Sequence, residues 1–163
     1  EEVWTGLHRE ISQCTKLKGL SYLEDGCLHL SCSDFGEMYT GRHDWEDYKA
    51  EFFVTPLTGE HHFVNARVQG AIRSYAAGLL PNGQFGILKN DNGYEVLSVV
   101  DYPWKPGEEY QIQIQVFGNK IEAEINGEKK VSVEDQEHIY WKGSIGISTA
   151  KGSHMKCRKI VVS

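Results

Sequence analysis

Several features that would place a protein in a large class are absent from this sequence of 163 residues. No apolar run approaches the roughly 18 residues that a membrane-spanning helix needs. Lys and Arg number 17 against 23 Asp and Glu, a net charge of −6, so a nucleic-acid-binding face is not expected. The start, EEVWTGLHRE, lacks the profile of a signal peptide. The length predicts one domain over residues 1–163. Because the chain begins at Glu1 and not at Met, we expect a mature form or a piece of a longer protein, and we favour the piece.

The familiar motifs of nucleophilic catalysis and of metal sites are also missing. The sequence contains no G-x-S-x-G, no glycine-rich phosphate loop and no Cys/His arrangement typical of catalysis. Its four cysteines show no C-x-x-C spacing, so we interpret them as buried reduced thiols. A Cys14–Cys27 or a Cys32–Cys157 disulfide is the alternative that the spacing leaves open.

The histidines do not form a recognisable metal motif. His61 and His62 are adjacent and His43 precedes an aspartate, but no further ligands follow at a readable spacing, and His154 stands apart. We therefore expect no cofactor and no metal at the histidines. A structural Ca²⁺ bound through Asp25 is the one remaining candidate.

Short strand-like runs alternate with turn signals along most of the chain. Asp-Gly at 25–26, PNGQ at 81–84, NDNG at 90–93 and Asn-Gly at 126–127 are typical of hairpin turns. Residues 110–116 alternate almost perfectly, with Ile112, Ile114 and Val116 on one face. Pro56 is expected to end a strand over 45–54. About twelve strands and no helix predict an all-β fold, a two-sheet antiparallel β-sandwich.

The order of these features over residues 27–163 resembles the concanavalin A-like lectin/glucanase superfamily. The segments that carry the resemblance are DWEDYKAEFFV, ARVQGAIRSY, LKNDNGY, PGEEYQIQIQVFGNKIEAEINGE and GSIGISTAKGSHMKCRKIVV. It implies a jelly roll and a carbohydrate-binding, non-catalytic accessory domain. The ARVQG–RSY version is similar to domains found beside catalytic domains of the ADP-ribosylglycohydrolase type. The partners implied are a carbohydrate or glycoside ligand and a neighbouring catalytic domain, with no nucleic acid and no membrane.

Polar and aromatic residues concentrate between residues 62 and 94, and we interpret this stretch, together with Trp104 of the following loop, as one wall of a ligand site. Sugars stack on aromatic rings and accept hydrogen bonds from Arg, Gln and Asn side chains. Arg67 and Gln69 share one strand face because they are two residues apart, and Arg73 and Tyr75 do so for the same reason. The hairpin turns should bring the two pairs together. We expect Arg67 and Gln69 to lie outside the core, because alternation along the strand places them on the face opposite the apolar residues Val64, Ala66 and Val68. The predicted ligand-binding residues are Arg67, Gln69, Arg73, Tyr75, Tyr94 and Trp104.

Two other functions stay open on the sequence alone. Glu122 and Glu124 lie two apart on one strand, as do the catalytic carboxylates of glucanases with this fold, so a glycoside hydrolase is one alternative. The family's E-x-D-x-x-E signature is missing here, which favours an exposed charged strand face. A structural or dimerisation domain is the other alternative. If the ADP-ribosylglycohydrolase association holds, we expect a cytoplasmic protein, and otherwise a secreted one.

Overall fold

A computed structural model describes residues 2–5, 15–70 and 72–163, and in these ranges every regular element is a β-strand. Within the same part of the chain no helix is long and apolar enough to cross a membrane. The strands are β1 Glu2–Thr5, β2 Thr15–Lys18, β3 Leu20–Glu24, β4 Cys27–Ser31, β5 Phe35–Thr40, β6 Tyr48–Thr58, β7 His62–Val68, β8 Arg73–Leu80, β9 Gln84–Asp91, β10 Tyr94–Asp101, β11 Tyr110–Phe117, β12 Lys120–Ile125, β13 Glu128–Glu134, β14 Ser144–Ala150 and β15 His154–Val162.

The strands form two antiparallel sheets that pack face to face. One sheet has eight strands in the order β13-β12-β11-β6-β15-β4-β3, with β1 paired to β15. The other has seven strands in the order β10-β9-β8-β7-β14-β5-β2. The predicted all-β, two-sheet antiparallel sandwich is therefore confirmed. At the Asp25-Gly26, Asn82-Gly83 and Asn126-Gly127 turns both central residues have positive φ, as a type I′ turn requires.

Alternating side chains from both sheets fill the space between them. Ile112, Ile114 and Val116 of β11 are fully buried, which confirms the inward face predicted from the alternation. From the other sheet Tyr75 and Ile87 enter the same cluster. The apolar side chains that a strand presents to the partner sheet are thus the main source of stability, at roughly 25 cal/mol per Å² removed from water.

The long central strand β6 continues four residues beyond the point at which Pro56 was expected to end it, and this corrects that prediction. The pairing with β11 stops at Tyr110–Val54, so beyond Val54 only β15 pairs with β6. The register with β15 also shifts between His154 and Met155, next to Pro56. A proline is tolerated at such an irregular, one-sided position, because no ladder bond on the open side needs its missing N–H.

Cys27 and Cys32 are free thiols in the described part of the chain. The Cys32–Cys157 disulfide is therefore wrong. Cys32 contacts the Thr149 hydroxyl at 3.3 Å, whereas Cys157 is buried in the core. The Cys14–Cys27 alternative involves a residue that lies outside the described ranges.

Candidate functional site

The outer face of the seven-stranded sheet has a second apolar cluster of its own. Phe63, Ala76, Leu80 and Leu88 point away from the main core and are nevertheless buried, with Tyr94 packed against them. The rings of Phe63 and Tyr94 lie 5.0 Å apart and are tilted by 47°. Polar groups on this face therefore stand on a rigid, close-packed support, which a preorganised binding site needs.

Four polar side chains on this face hydrogen-bond to one another. The Asn65 amide donates to Ser74 Oγ (3.1 Å) and to the Tyr94 hydroxyl (2.9 Å). The Ser148 hydroxyl donates to Asn65 Oδ1 (2.8 Å), so Tyr94 is the donor across its 2.9 Å contact with Ser148 Oγ. Burial raises the pKa of Tyr94 to about 12, which keeps its hydroxyl protonated at neutral pH. This network fixes the orientation of the Tyr94 ring.

A shallow pocket of about 110 Å³, which we name the Tyr94 groove, opens beside this network. Its lining residues come from β5, from the β7–β8 connection and from the β9–β10 hairpin: Phe35, Glu37, Ile72, Asn90, Asn92, Gly93 and Tyr94. A smaller cavity of about 10 Å³ adjoins the groove and is also lined by Glu37, together with Asn65 and Ser74. That volume is about one water molecule.

The lining of the Tyr94 groove combines apolar surface with hydrogen-bonding groups. Phe35 is 37% exposed and Ile72 is 43% exposed, so both can contact a ligand. Glu37 is largely buried at 9% exposure, while the amide of Asn92 is exposed. An aromatic ring, a carboxylate acceptor and an amide within one pocket suit a ligand that has both C–H faces and hydroxyl groups.

Asn90 shapes the groove from beneath. Its Oδ1 accepts a hydrogen bond from the Gly93 main-chain N–H (3.0 Å), which closes the hairpin turn. Its carbonyl accepts a hydrogen bond from the Tyr140 hydroxyl (2.9 Å), which ties the same turn to the loop before β14. The Asn92 N–H donates to the carbonyl of Ile72 (2.9 Å), so the two loops that border the groove are joined.

Of the six predicted ligand-binding residues, Tyr94 lines the Tyr94 groove and Arg73 lies beside it. Arg73 is exposed at the start of β8, next to Ile72 and opposite Asp91. Gln69 is exposed, and its amide donates to the carbonyl of Lys142 (2.9 Å). The structure therefore brings Tyr94 and Arg73 to the same end of the sheet. Ligand contact by any of these residues stays a prediction.

Arg67 does not lie outside the core, which corrects the expectation from alternation. In the pairing of β7 with β14, Val68 is opposite Ser144 and Asn65 is opposite Gly146. Two residues of β7 therefore oppose one residue of β14, which is a β-bulge. Arg67 sits in this bulge with a φ of 49°. The left-handed backbone turns its side chain inward, and the side chain is 1% exposed.

The buried guanidinium of Arg67 holds three separate loops. Its Nε donates to the carbonyl of Glu46 (2.9 Å), and Nη1 donates to the carbonyls of Tyr140 (2.9 Å) and Gly118. Its Nη2 lies 3.0 Å from the Asp47 carboxylate. Because these partners occupy the guanidinium and the side chain is enclosed, Arg67 supports the end of the sandwich and is out of reach of a ligand in the Tyr94 groove.

Tyr75 is likewise fully buried, because it points from β8 into the main core. Its hydroxyl donates to Asp135 Oδ2 (2.6 Å) and accepts the Tyr140 main-chain N–H (3.1 Å). Lys89 Nζ lies 2.6 Å from the same carboxylate oxygen and 4.9 Å from the centre of the Tyr140 ring. This cluster anchors the loop before β14. Tyr140 is itself buried, whereas its neighbour Trp141 is 55% exposed.

Trp104 lies at the opposite end of β8 from Arg73. Its indole N–H donates to the carbonyl of Leu80 (2.9 Å), and its ring contacts His62 edge-on at 5.6 Å. Leu80 is seven residues along β8 from Arg73, a separation of about 23 Å at about 3.3 Å per residue. The structure therefore does not bring Trp104 together with the Tyr94 groove.

Glu122 and Glu124 project from β12 on the outer face of the eight-stranded sheet. The two carboxylate oxygens of Glu122 lie 3.0 Å from Lys120 Nζ and 3.1 Å from Lys129 Nζ. Hydrogen bonds from these lysines lower the pKa of Glu122, so it is ionised at neutral pH. An ion-paired carboxylate with a lowered pKa is unsuited to the general-acid role that glycoside hydrolysis requires.

Asp25 occupies an exposed hairpin turn with a φ of 52°. Among the residues that the structure describes, no group of three or more His, Cys, Asp or Glu is arranged to hold a metal ion. Since Ca²⁺ takes six to eight oxygen ligands, Glu24 and Asp25 alone do not form such a site. A Ca²⁺ ion at Asp25 stays a prediction.

The sequence pattern did not single out Glu37, Asn65 or Ser148. Asn65 does carry a signal, because it is a polar residue inside the apolar run HFVNARV. A polar side chain on a strand that is buried on both faces needs partners, and here the partners come from β8, β10 and β14. Glu37 and Ser148 become neighbours through the pairing of β5 with β14, which no local sequence pattern predicts.

Comparison with solved structures identifies the fold. The carbohydrate-binding module CBM66 from Bacillus subtilis superposes with a TM-score of 0.82 at 13% identity, over 93% of this chain and 95% of that chain. The fold is a concanavalin A-like, galectin-like β-sandwich. A Bacillus subtilis protein of unknown function with a galectin-like fold matches with a TM-score of 0.77 at 11% identity, over 99% and 94% of the two chains. The Emp47p carbohydrate recognition domain matches with a TM-score of 0.68 at 10% identity, over 92% and 87%. No protein-family model matches the sequence, and no curated protein is significantly similar to it.

Proposed function

We propose that this chain is a carbohydrate-binding domain whose ligand occupies the Tyr94 groove. The observation that carries the proposal is the Tyr94 ring, which is held in one orientation by hydrogen bonds to Asn65 and Ser148 at the border of an open pocket. A preordered aromatic ring offers a stacking surface at little entropic cost. Glu37 and Asn92 would exchange hydrogen bonds with sugar hydroxyls.

The size of the pocket limits the part of a glycan that it can hold. At about 110 Å³ the Tyr94 groove is smaller than the 300–1,000 Å³ of most small-molecule sites. It therefore suits a single sugar unit, with the rest of the glycan in solvent. Two proteins of the same fold are named for carbohydrate binding, CBM66 and the Emp47p domain. At 13% and 10% identity they support the fold, so the ligand is inferred from the groove.

A glycan array followed by calorimetry with the best ligand tests this proposal. Tyr94→Ala removes the stacking ring and should weaken binding about tenfold or more. A factor of ten corresponds to about 1.4 kcal/mol of binding free energy. Asn92→Ala removes an exposed amide and should also weaken binding. Because the positive φ of 54° disfavours alanine, the folded state of this variant is checked by thermal unfolding. Phe117→Ala is the matched control, because Phe117 is an aromatic residue with 65% exposure on the other sheet.

Two outcomes would reject the Tyr94 groove as the ligand site. One is an array with no glycan bound above background. The other is a glycan whose affinity is unchanged in Asn92→Ala and in Tyr94→Ala but falls in Phe117→Ala.

We further propose that the domain acts as an accessory module beside a catalytic domain, as the family resemblance implies. The narrower association with an ADP-ribosylglycohydrolase-type enzyme rests on that resemblance alone and stays a prediction, as does the compartment that depends on it. Activity assays of the whole protein with and without residues 1–163 would test the accessory role. If the whole protein had equal activity on soluble and on glycan-bearing substrates, this result would argue against the accessory role.

A further inference from the structure

Two histidines and a tyrosine meet on the outer face of the eight-stranded sheet, on the other side of the sandwich from the Tyr94 groove. They come from three adjacent strands, β3, β4 and β15. Tyr22 is directly opposite His29 in the pairing of β3 with β4. Lys156 is opposite His29 in the pairing of β15 with β4, so His154 lies on the diagonal, within reach of a long side chain.

The polar atoms of these three side chains converge. His29 Nδ1 and His154 Nε2 are 2.9 Å apart, and the Tyr22 hydroxyl is 3.4 Å from the same His154 nitrogen. The Tyr22 ring stacks on the His29 ring at 4.7 Å with an interplanar angle of 10°. His29 is buried at 7% exposure, whereas Tyr22 and His154 are half-buried, so two of the three side chains are partly exposed to solvent.

We propose that His29 and His154 bind a divalent transition-metal ion of the Zn²⁺ type, with the Tyr22 hydroxyl beside it and water in the open positions. Zn²⁺ binds imidazole nitrogen at about 2.0–2.1 Å in tetrahedral geometry, which places two ligand nitrogens roughly 3.3 Å apart. The two ring nitrogens need to separate by only a few tenths of an ångström from their present contact. Imidazole ligands suit Zn²⁺, Cu²⁺ and Ni²⁺ and exclude Ca²⁺ and Mg²⁺, which prefer oxygen.

A metal binds the neutral form of imidazole, so the test is run above the usual pKa of histidine. The proton that the two nitrogens now share moves to the other nitrogen of its own ring when the metal enters. Glu24 lies close enough to favour a cation at both rings, and Lys156 opposes it at His29.

Calorimetric titration of the wild-type chain with ZnCl₂ alone, at pH 7.5 in a non-chelating buffer, tests this site. We expect one ion per chain, and an affinity at least about tenfold lower in His29→Ala and in His154→Ala. Losing a group that only hydrogen-bonds to a metal ligand already costs about 10–100-fold. His43→Ala is the control that should not change the affinity, because His43 is an exposed histidine in a distant loop. Lys156→Gln should bind Zn²⁺ more tightly, since it removes a nearby positive charge.

A second readout keeps the proposal testable if an alanine variant folds poorly. In ¹H–¹⁵N spectra of wild-type protein, Zn²⁺ should shift the ring resonances of His29 and His154 and leave those of His43 in place. Absence of Zn²⁺ binding by the wild type would overturn the proposal. So would an affinity that is unchanged in well-folded His29→Ala and His154→Ala. Glycan binding in the Tyr94 groove is independent of all these outcomes.

Discussion

Replacing Lys89 with methionine tests how strongly a buried ion pair holds the loop between β13 and β14. Lys89 and Asp135 are 6% and 8% exposed, and Nζ lies 2.6 Å from Oδ2. Methionine keeps most of the length of the side chain and removes its charge, which leaves the Asp135 carboxylate buried without its cation. Removing one partner of a buried pair costs about 3–5 kcal/mol. For a domain of this size, that loss lowers Tm by roughly 6–20 °C.

Lys89 also holds main-chain groups of the loop, which adds to the expected loss. Its ammonium donates to the carbonyl of His138 (3.1 Å) and to that of Glu137. In the variant these carbonyls must turn to water, and the Tyr140 ring loses its cation. Because domains of this kind are stable by only about 5–15 kcal/mol, the variant should fold but unfold at a clearly lower urea concentration.

The loss should depend on pH. Desolvation tends to raise the pKa of Asp135, but hydrogen bonds from Lys89 and Tyr75 outweigh it, and the pKa lies below its usual value. A lowered pKa stabilises the folded state above the unfolded value of about 4, and this contribution disappears as the pH falls through the folded value. In Lys89→Met the buried carboxylate has a raised pKa and becomes protonated more easily. The difference in the free energy of unfolding between wild type and variant should therefore shrink from pH 7 to pH 3.

Urea unfolding followed by tryptophan fluorescence at several pH values measures both effects. Arg42→Met is the control, because it breaks a 2.8 Å ion pair with Asp44 whose side chains are 71% and 62% exposed. Exposed pairs contribute little to stability, because water screens both charges. A Lys89→Met loss as small as the control, or a loss that stays constant between pH 7 and pH 3, would refute the reasoning.

Two further variants test other parts of the fold. Arg67→Lys should lower the free energy of unfolding by about 1–3 kcal/mol for each buried carbonyl left without a donor, because an ammonium cannot reproduce the guanidinium geometry. Thermal unfolding measures this loss. A variant as stable as wild type would contradict the role of Arg67 in holding the three loops. Gly78→Ala should lower the free energy of unfolding by about 1–3 kcal/mol or more, because its Cβ would lie 2.2 Å from the His62 carbonyl oxygen and force the sheet apart. The matched control is Gly118→Ala. Its Cβ would meet nothing within 4 Å, but residue 118 has a positive φ of 60°, which is strained for alanine. An equal loss in both glycine variants would contradict this prediction, because crowding at position 78 would then cost no more than the backbone strain at position 118.

The candidate site was predictable from the sequence only in part. Tyr94 and the NDNG turn were recognised because an aromatic residue after a turn signal is a local pattern. Glu37 and Ser148 were not, because they meet Asn65 across strands that are distant in the chain. Trp104 was grouped with Tyr94 by proximity in sequence, although the hairpins place it at the other end of β8.

What this sequence determined by itself is the local geometry. The alternation along 110–117 has a period of two and the Asn126-Gly127 turn has a fixed chirality, and short-range sterics impose both. The structure has the strand and the turn where the pattern predicts them. Alternation also predicts which face each side chain takes, as long as the ladder is regular. It fails at Arg67, because a single extra residue in β7 reverses the face, and the bulge depends on the partner strand β14.

The tertiary structure alone decided which distant side chains meet. His29 and His154 are 125 positions apart, yet the pairing of β4 with the last strand puts their ring nitrogens in contact. The Tyr94 groove likewise needs β5 and the β9–β10 hairpin to occupy one sheet. Strand order follows from how the whole chain buries its apolar faces, a global balance that no stretch of the sequence contains.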